Sequence, residues 1–112
     1  TSMNRIDLEW LKKTNEIITQ NFTNEEFTID ILAAELAMSR SNLKRKLKGL
    51  TGMPPNDYIR LIRLKTAGKL LREGKYRVNE VCYIVGFNNL SYFARCFQKQ
   101  FGILPKDYAK KS

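Results

Sequence analysis

The sequence predicts an all-α fold of about seven helices, arranged as two helix-turn-helix subdomains joined by a long linker helix. Three observations predict it. First, one pattern occurs twice: Leu43-Lys-Arg45-Lys-Leu47, then Gly52-x-x-Pro55-x-Asp57-Tyr58, returns 50 residues later as Phe93-Ala-Arg95-Cys-Phe97, then Gly102-x-x-Pro105-x-Asp107-Tyr108. Second, Leu32-Ala33-x-x-Leu36-Ala37-Met38 is answered by Val81-Cys82-x-x-Val85-Gly86-Phe87 at an offset one residue shorter, which puts an extra residue in the second turn. Third, a continuous stretch with apolar residues at helical spacing lies between the two copies. A repeated unit of short helix, tight turn and second helix reads as two copies of one binding device rather than one catalytic cleft.

From Asp7 to Phe22 the apolar positions Leu8, Leu11, Ile17, Ile18 and Phe22, with Trp10, fall mostly on one side of a 3.6-residue period, and Asp7 is placed to cap the start. Residues 1–6 read as a disordered or vector-derived start, because Thr1-Ser2 precedes Met3. A turn-rich connector, Asn21 to Thr28, leads to a helix through Leu36 or Ala37 with Thr28 as its N-cap. Ala37-Met38-Ser39 leaves room for only a sharp turn, and the small residues Ala33 and Ala37 let two backbones approach. Ser39 opens a third helix to about Leu50, and Gly52 stops it with a positive φ. Pro55 starts the long helix, with Tyr58, Ile59, Leu61, Ile62, Leu64, Ala67, Leu70 and Leu71 forming a wide apolar face up to Glu73 and Gly74. The second unit repeats the plan: Asn79 as N-cap, a helix to Val85, a turn at Gly86-Phe87, a helix from about Asn89 to Phe101, and a short final helix after Pro105. The resulting boundaries are 7–54 for the first subdomain, 55–73 for the linker helix and 74–112 for the second subdomain.

At 112 residues with 43% hydrophobic side chains, the chain can bury a modest core. The apolar stretches are too short for a membrane span and no signal segment opens the chain, so a cytoplasmic location is expected. With no histidine and two cysteines, His-based acid–base chemistry, Ser-His triads and zinc sites are excluded; no cofactor, no metal and no enzymatic activity are expected. Cys82 fills an apolar slot of the repeat as a small buried thiol, whereas Cys96 stands opposite Lys46. The net charge of +9 is uneven. Residues 1–27 carry three basic and five acidic side chains, a net of −2. Residues 39–77 carry twelve basic and two acidic, and residues 88–112 five basic and one acidic. Positive charge therefore collects in and just after the second helix of each repeat, as on a nucleic-acid-facing surface.

Taken together these residues resemble the DNA-binding domain of AraC/XylS-type transcription regulators, over about residues 7–109. Gly86-Phe87-Asn-Asn-Leu-Ser91-Tyr92-Phe93-Ala-Arg95-Cys-Phe97-Gln-Lys99-Gln-Phe101-Gly102-Ile-Leu-Pro105-x-Asp-Tyr108 matches that family's signature region, and Leu32 to Leu47 fits its first helix-turn-helix. The resemblance implies that the second helix of each unit enters successive major-groove segments of double-stranded DNA and regulates transcription, with activation as the family's usual role. RNA polymerase, and a second copy joined through parts of a longer protein, are the further partners it implies. Wording such as Arg-Lys-Leu-Lys-Gly-Leu-Thr-Gly also looks like AraC-type output domains fused to membrane-bound hybrid sensor kinases, which would make the chain the cytoplasmic part of a two-component sensor, without membrane contact of its own.

Leu43 and Leu47 must face the core, which leaves Arg40, Ser41, Asn42, Lys44, Arg45 and Lys48 outward. Ser41, Lys44 and Arg45 match positions that contact bases in the family. Phe93 and Phe97 are the core positions of the second helix, where Leu90, Ser91, Ala94 and Arg95 match base-facing positions. Arg40, Asn42, Lys48, Asn89, Tyr92 and Lys99 flank them as holders of the DNA backbone, with Arg60, Arg63 and Lys65 as further cations for that role. An arginine fork can bind guanine O6 and N7 together, worth about 1–3 kcal/mol of discrimination. The first helix is therefore expected to carry more affinity and the second more tolerance, since Leu90 and Ala94 either touch thymine methyls or read nothing. A Pro55–Glu73 helix would be about 28 Å long, short of a DNA turn of about 34 Å, so either the DNA bends or one helix docks alone. Tyr58 and Tyr108 are expected in core or cap roles. Two rival readings are an RNA-binding helical module, disfavoured because the aromatics fall at core positions, and a protein-interaction output module that uses the first helix and Trp10 and has only non-specific DNA affinity.

Overall fold

A computed structural model describes residues 3–110; of the start expected to be disordered, Thr1 and Ser2 lie outside the described residues, whereas Asn4 caps the first helix and Arg5 and Ile6 belong to it. The described residues form seven α-helices and no strand: α1 Arg5–Gln20, α2 Ile29–Glu35, α3 Arg40–Thr51, α4 Pro55–Glu73, α5 Val78–Ile84, α6 Leu90–Phe101 and α7 Pro105–Lys110. The chain divides into two compact units, Thr1–Arg60 and Leu61–Ser112, so α4 contributes its first residues to one and the rest to the other.

In the first unit α1 begins two residues before the expected Asp7. Asn4 is the N-cap, and its side-chain oxygen accepts from the Asp7 backbone N–H at 2.8 Å. Asp7 instead occupies the first turn, where its charge complements the helix dipole. Thr28 caps α2 through its hydroxyl, as the sequence predicts. The core is mostly aliphatic: Ile17, Ile18, Leu32, Ala33, Leu36, Leu43 and Leu47 are buried, together with Phe22. Tyr58 is buried among them and its hydroxyl donates to Asn15 Oδ1 at 2.5 Å; burial raises the phenol above its ordinary value and the Asn15 contact acts in the opposite direction. Thr14, fully buried in α1, satisfies its hydroxyl on the Trp10 carbonyl at 2.8 Å.

The second unit reuses the plan with larger side chains. Leu64, Ala67 and Leu71 of α4, Val81, Cys82 and Val85 around α5, and Phe87, Phe93 and Phe97 are buried. Ring centroids step from Phe87 to Phe93 at 5.1 Å, to Phe97 at 5.8 Å and to Phe101 at 4.5 Å, with Tyr108 5.2 Å from Phe97. Separations of this kind, tilted or edge-on, are those that aromatic pairs prefer. A Cβ at Gly68 of α4 would lie 3.4 Å from the Phe101 ring, so this glycine makes room for the aromatic cluster. Cys82 is buried and burial raises its thiol, in keeping with a packing role; Cys96 is half-buried.

Two helix starts and two turns revise the sequence-based picture. The N-cap of α5 is Arg77, not Asn79: the Glu80 carboxylate accepts the Arg77 N–H at 2.9 Å, while Asn79 Oδ1 takes the Glu80 N–H at 3.0 Å from inside the helix. The turns after α2 and α5 are the same Schellman cap. Met38 N–H bonds the Ala33 carbonyl at 2.9 Å and Ala37 N–H that of Ala34 at 3.0 Å. Phe87 N–H and Gly86 N–H repeat this on Cys82 and Tyr83, at 2.9 and 3.0 Å. The residue between must be left-handed, and Ala37 has φ +56° and Gly86 φ +94°. Ala37 is exposed, so its requirement is for backbone conformation and not for the close helix approach expected from its size. The extra residue of the second turn is Asn88, which lies between Phe87 and the next N-cap.

Candidate nucleic-acid interface

α3 and α6 are the same helix built twice. Ser39 caps α3 by accepting the Asn42 N–H at 3.1 Å, and Asn89 caps α6 by accepting the Tyr92 N–H at 2.8 Å. Each helix runs twelve residues and stops at a left-handed glycine, Gly52 at φ +76° and Gly102 at φ +82°. Leu43 and Leu47 in α3, and Phe93 and Phe97 in α6, are completely buried. Because these anchors fix the rotation of each helix, positions 40, 41, 44, 45 and 48 correspond one for one with 90, 91, 94, 95 and 98.

In α3 the residues predicted from sequence to face bases, Ser41, Lys44 and Arg45, are all exposed, as are Arg40, Asn42 and Lys48, predicted to hold the DNA backbone. Asn42 Oδ1 accepts from Arg45 Nη1 at 3.3 Å, which steadies the guanidinium one turn along the helix. Arg40 lies 3.8 Å from Asp30 of α2, an exposed pair of little stabilising value that a phosphate can replace. The helix carries Arg40, Lys44, Arg45, Lys46 and Lys48 and no acidic residue.

In α6 Leu90, Ser91 and Arg95 are exposed and Ala94 is half-buried. Of the residues expected to hold the DNA backbone, Asn89, Tyr92 and Lys99 are exposed, although the Asn89 side-chain oxygen is engaged in capping. The Arg95 guanidinium lies 5.9 Å from the Tyr92 ring centre, so each helix steadies its arginine with the residue three positions earlier. Tyr92 is 43% exposed and its ring lies 5.9 Å from that of Phe87. The helix has two cations, Arg95 and Lys99, and no acidic residue.

Three further cations have protein partners that the sequence reading missed. Lys46 places its ammonium 4.7 Å from the centre of the Trp10 ring and 4.0 Å from the Asp7 carboxylate, tying α3 to α1 and partly covering the tryptophan on which an α1-based protein interaction was expected to depend. Its spacing from Leu43 sets it on the edge of the buried stripe, opposite Arg45, but Lys44 lies on the other edge by its spacing from Leu47, so the packing of α1 is what singles out Lys46. Arg63, weighed as a backbone-holding cation, is half-buried and donates from Nη1 to the Val85 carbonyl at 2.7 Å; burial lowers its pKa from the ordinary value. It closes the C-terminal end of α5, where a positive charge is favourable. Arg60 pairs with Asp57 on its own helix at 2.9 Å.

A family model described as a helix-turn-helix domain matches residues 32–111. The chain is 38% identical over 110 residues to histidine kinase P4 of Formosa agariphila, a match that covers 98% of this chain and 8% of the kinase. It spans 29–30% of curated HTH-type transcription regulators matched at 32–33% identity, MtrA of Neisseria gonorrhoeae and RhaS of Escherichia coli. Among solved structures it is similar to an AraC-type DNA-binding-domain regulator from Chromobacterium violaceum, at TM-score 0.84, 23% identity and 96% coverage of both chains, which supports the fold. It is also similar to the DNA-binding domain of AdpA, solved in complex with a target DNA, at TM-score 0.76 and 28% identity over 94% of this chain and 90% of that one.

Proposed function

Because the chain belongs to the AraC/XylS-type helix-turn-helix family of DNA-binding transcription regulators, we propose that it binds specific double-stranded sites with both α3 and α6, each helix reading bases in its own major-groove segment. The observation that carries this reading is the shared frame of the two helices: identical length, a side-chain N-cap at the same position and a left-handed glycine stop, with buried anchors at the same positions and an arginine exposed at the same position, 45 and 95. Ser41, Lys44 and Arg45 read one segment; Leu90, Ser91, Ala94 and Arg95 read the other. Arg40, Asn42, Lys48, Asn89, Tyr92 and Lys99 fix the helices to the flanking phosphates.

The role in transcription is regulatory, and activation through contact with RNA polymerase is its proposed form. Similarity to a small part of a histidine kinase supports placement as the output part of a two-component sensor. Dimerisation, where it occurs, would come from other parts of such a protein. Cytoplasmic location follows from DNA as the partner; among the described residues no helix is long and apolar enough to cross a membrane.

Selection of the chain's preferred sites from a randomised duplex pool, at about 50 mM and 200 mM salt, tests the reading. Two unequal short motifs about one helical turn apart are expected. Salt-sensitive binding without enrichment would show that the domain grips phosphates alone, and preference for RNA over duplex DNA would overturn the assignment of partner.

A further inference from the structure

Resting on the reading of α6 as a base-reading helix, we propose that its half-site is recognised through thymine, with Leu90 packing on the thymine C5-methyl group. The two helices differ at corresponding positions in one consistent way. Arg40, Asn42 and Lys44 of α3 are matched in α6 by Leu90, Tyr92 and Ala94, while Ser41 and Arg45 are matched by Ser91 and Arg95. The second reading face keeps its hydroxyl and its arginine and exchanges two cations for the apolar Leu90 and Ala94 and an amide for the phenol of Tyr92.

Leu90 is 42% exposed and is the first residue of α6. An exposed leucine on a protein surface is ordinary. One in the first turn of a recognition helix is not, because that end meets the base edges. Ala94 stands one turn further along and is half-buried, so no large side chain separates Leu90 from the groove floor at that register. The major groove offers one methyl group, the C5-methyl of thymine; cytosine shows only a small C5–H there, and the remaining recognition features of the base edges are hydrogen-bond donors or acceptors. A leucine pressed against any other base would strip water from a polar edge without replacing its hydrogen bonds. Thymine is therefore the base that this side chain accepts, and Arg95, steadied over Tyr92, is free to take a neighbouring guanine.

The test uses the duplex selected from the random pool and the intact chain. Each thymine in the α6 half-site is replaced in turn by deoxyuridine, which removes the methyl group and leaves the base pairing unchanged. One or two replacements should weaken binding about three- to fivefold, the value of burying one methyl-sized group. The same replacements in the α3 half-site should have little effect. In Leu90→Ala the thymine-to-uracil ratio should fall close to one, with the melting temperature kept because the side chain is exposed. If no uracil replacement in the α6 half-site changes affinity while Arg95→Ala still weakens binding there, α6 reads bases but not thymine methyls. A ratio that survives Leu90→Ala would assign the methyl contact to another residue and overturn the proposal. If the pool enriches no duplex, base reading itself fails and the inference falls with it.

Discussion

Ala37 holds a backbone conformation that L-residues avoid, at a place where the second repeat has glycine. The left-handed region costs a non-glycine residue roughly 1–2 kcal/mol, and glycine gives back roughly 0.5–1 kcal/mol through its freer unfolded chain. Ala37→Gly should therefore stabilise the chain by about 0.5–1 kcal/mol, and Gly86→Ala should destabilise it by a similar amount, both read from denaturant midpoints at unchanged slope. Equal stability in all three proteins would show that the turn relaxes to another geometry. The size of residue 37 was legible in the sequence but its φ was not, because a small residue serves equally for close packing and for a turn. At residue 77 the repeat itself held the answer: the offset that places Val81 opposite Leu32 also places Arg77 opposite the N-cap Thr28. Asparagine's strong capping preference drew the expectation to Asn79, and asparagine does satisfy an orphan N–H there, from the second helical position.

At the scale of the element, α3 and α6 differ in charge more than in shape. α3 carries five cations in twelve residues and α6 carries two. Not all five serve a ligand, since Lys46 is directed onto Trp10 and Asp7. Lys48→Ala should lower the slope of log affinity against log salt by about one and weaken all sequences alike. Lys46→Ala should leave that slope unchanged and instead destabilise the fold by about 0.5–1 kcal/mol, through loss of the cation–π contact. If both variants changed the slope equally, the structural assignment of Lys46 would be wrong. The helices and their buried faces were legible from period alone, as the full burial of Leu43, Leu47, Phe93 and Phe97 shows. Roles of individual cations were not, because a charge at the margin of a buried stripe can point either to solvent or to an aromatic ring, and only the packing of α1 decides.

For the whole molecule, two units with separate cores each present one cationic helix, α3 or α6, and the net charge of +9 favours an anionic partner such as DNA, on which the proposed base reading would be superimposed. The repeat made this organisation legible before any coordinates, since a fold that recurs with its caps, anchors and stop residues leaves little choice of architecture. The substitution of Phe93 and Phe97 for Leu43 and Leu47 changes how each core is filled without changing which face of the helix is left exposed. The central claim is that both helices read bases. It is tested most directly by measuring Arg45→Ala and Arg95→Ala against a panel of single-base variants of the selected site. Each variant should lose about 1–3 kcal/mol of discrimination at its own position, Arg45→Ala in one half-site and Arg95→Ala in the other, with preferences elsewhere retained. Uniform losses at every sequence, from both variants, would mean that the arginines hold phosphates and that neither helix reads the site through them.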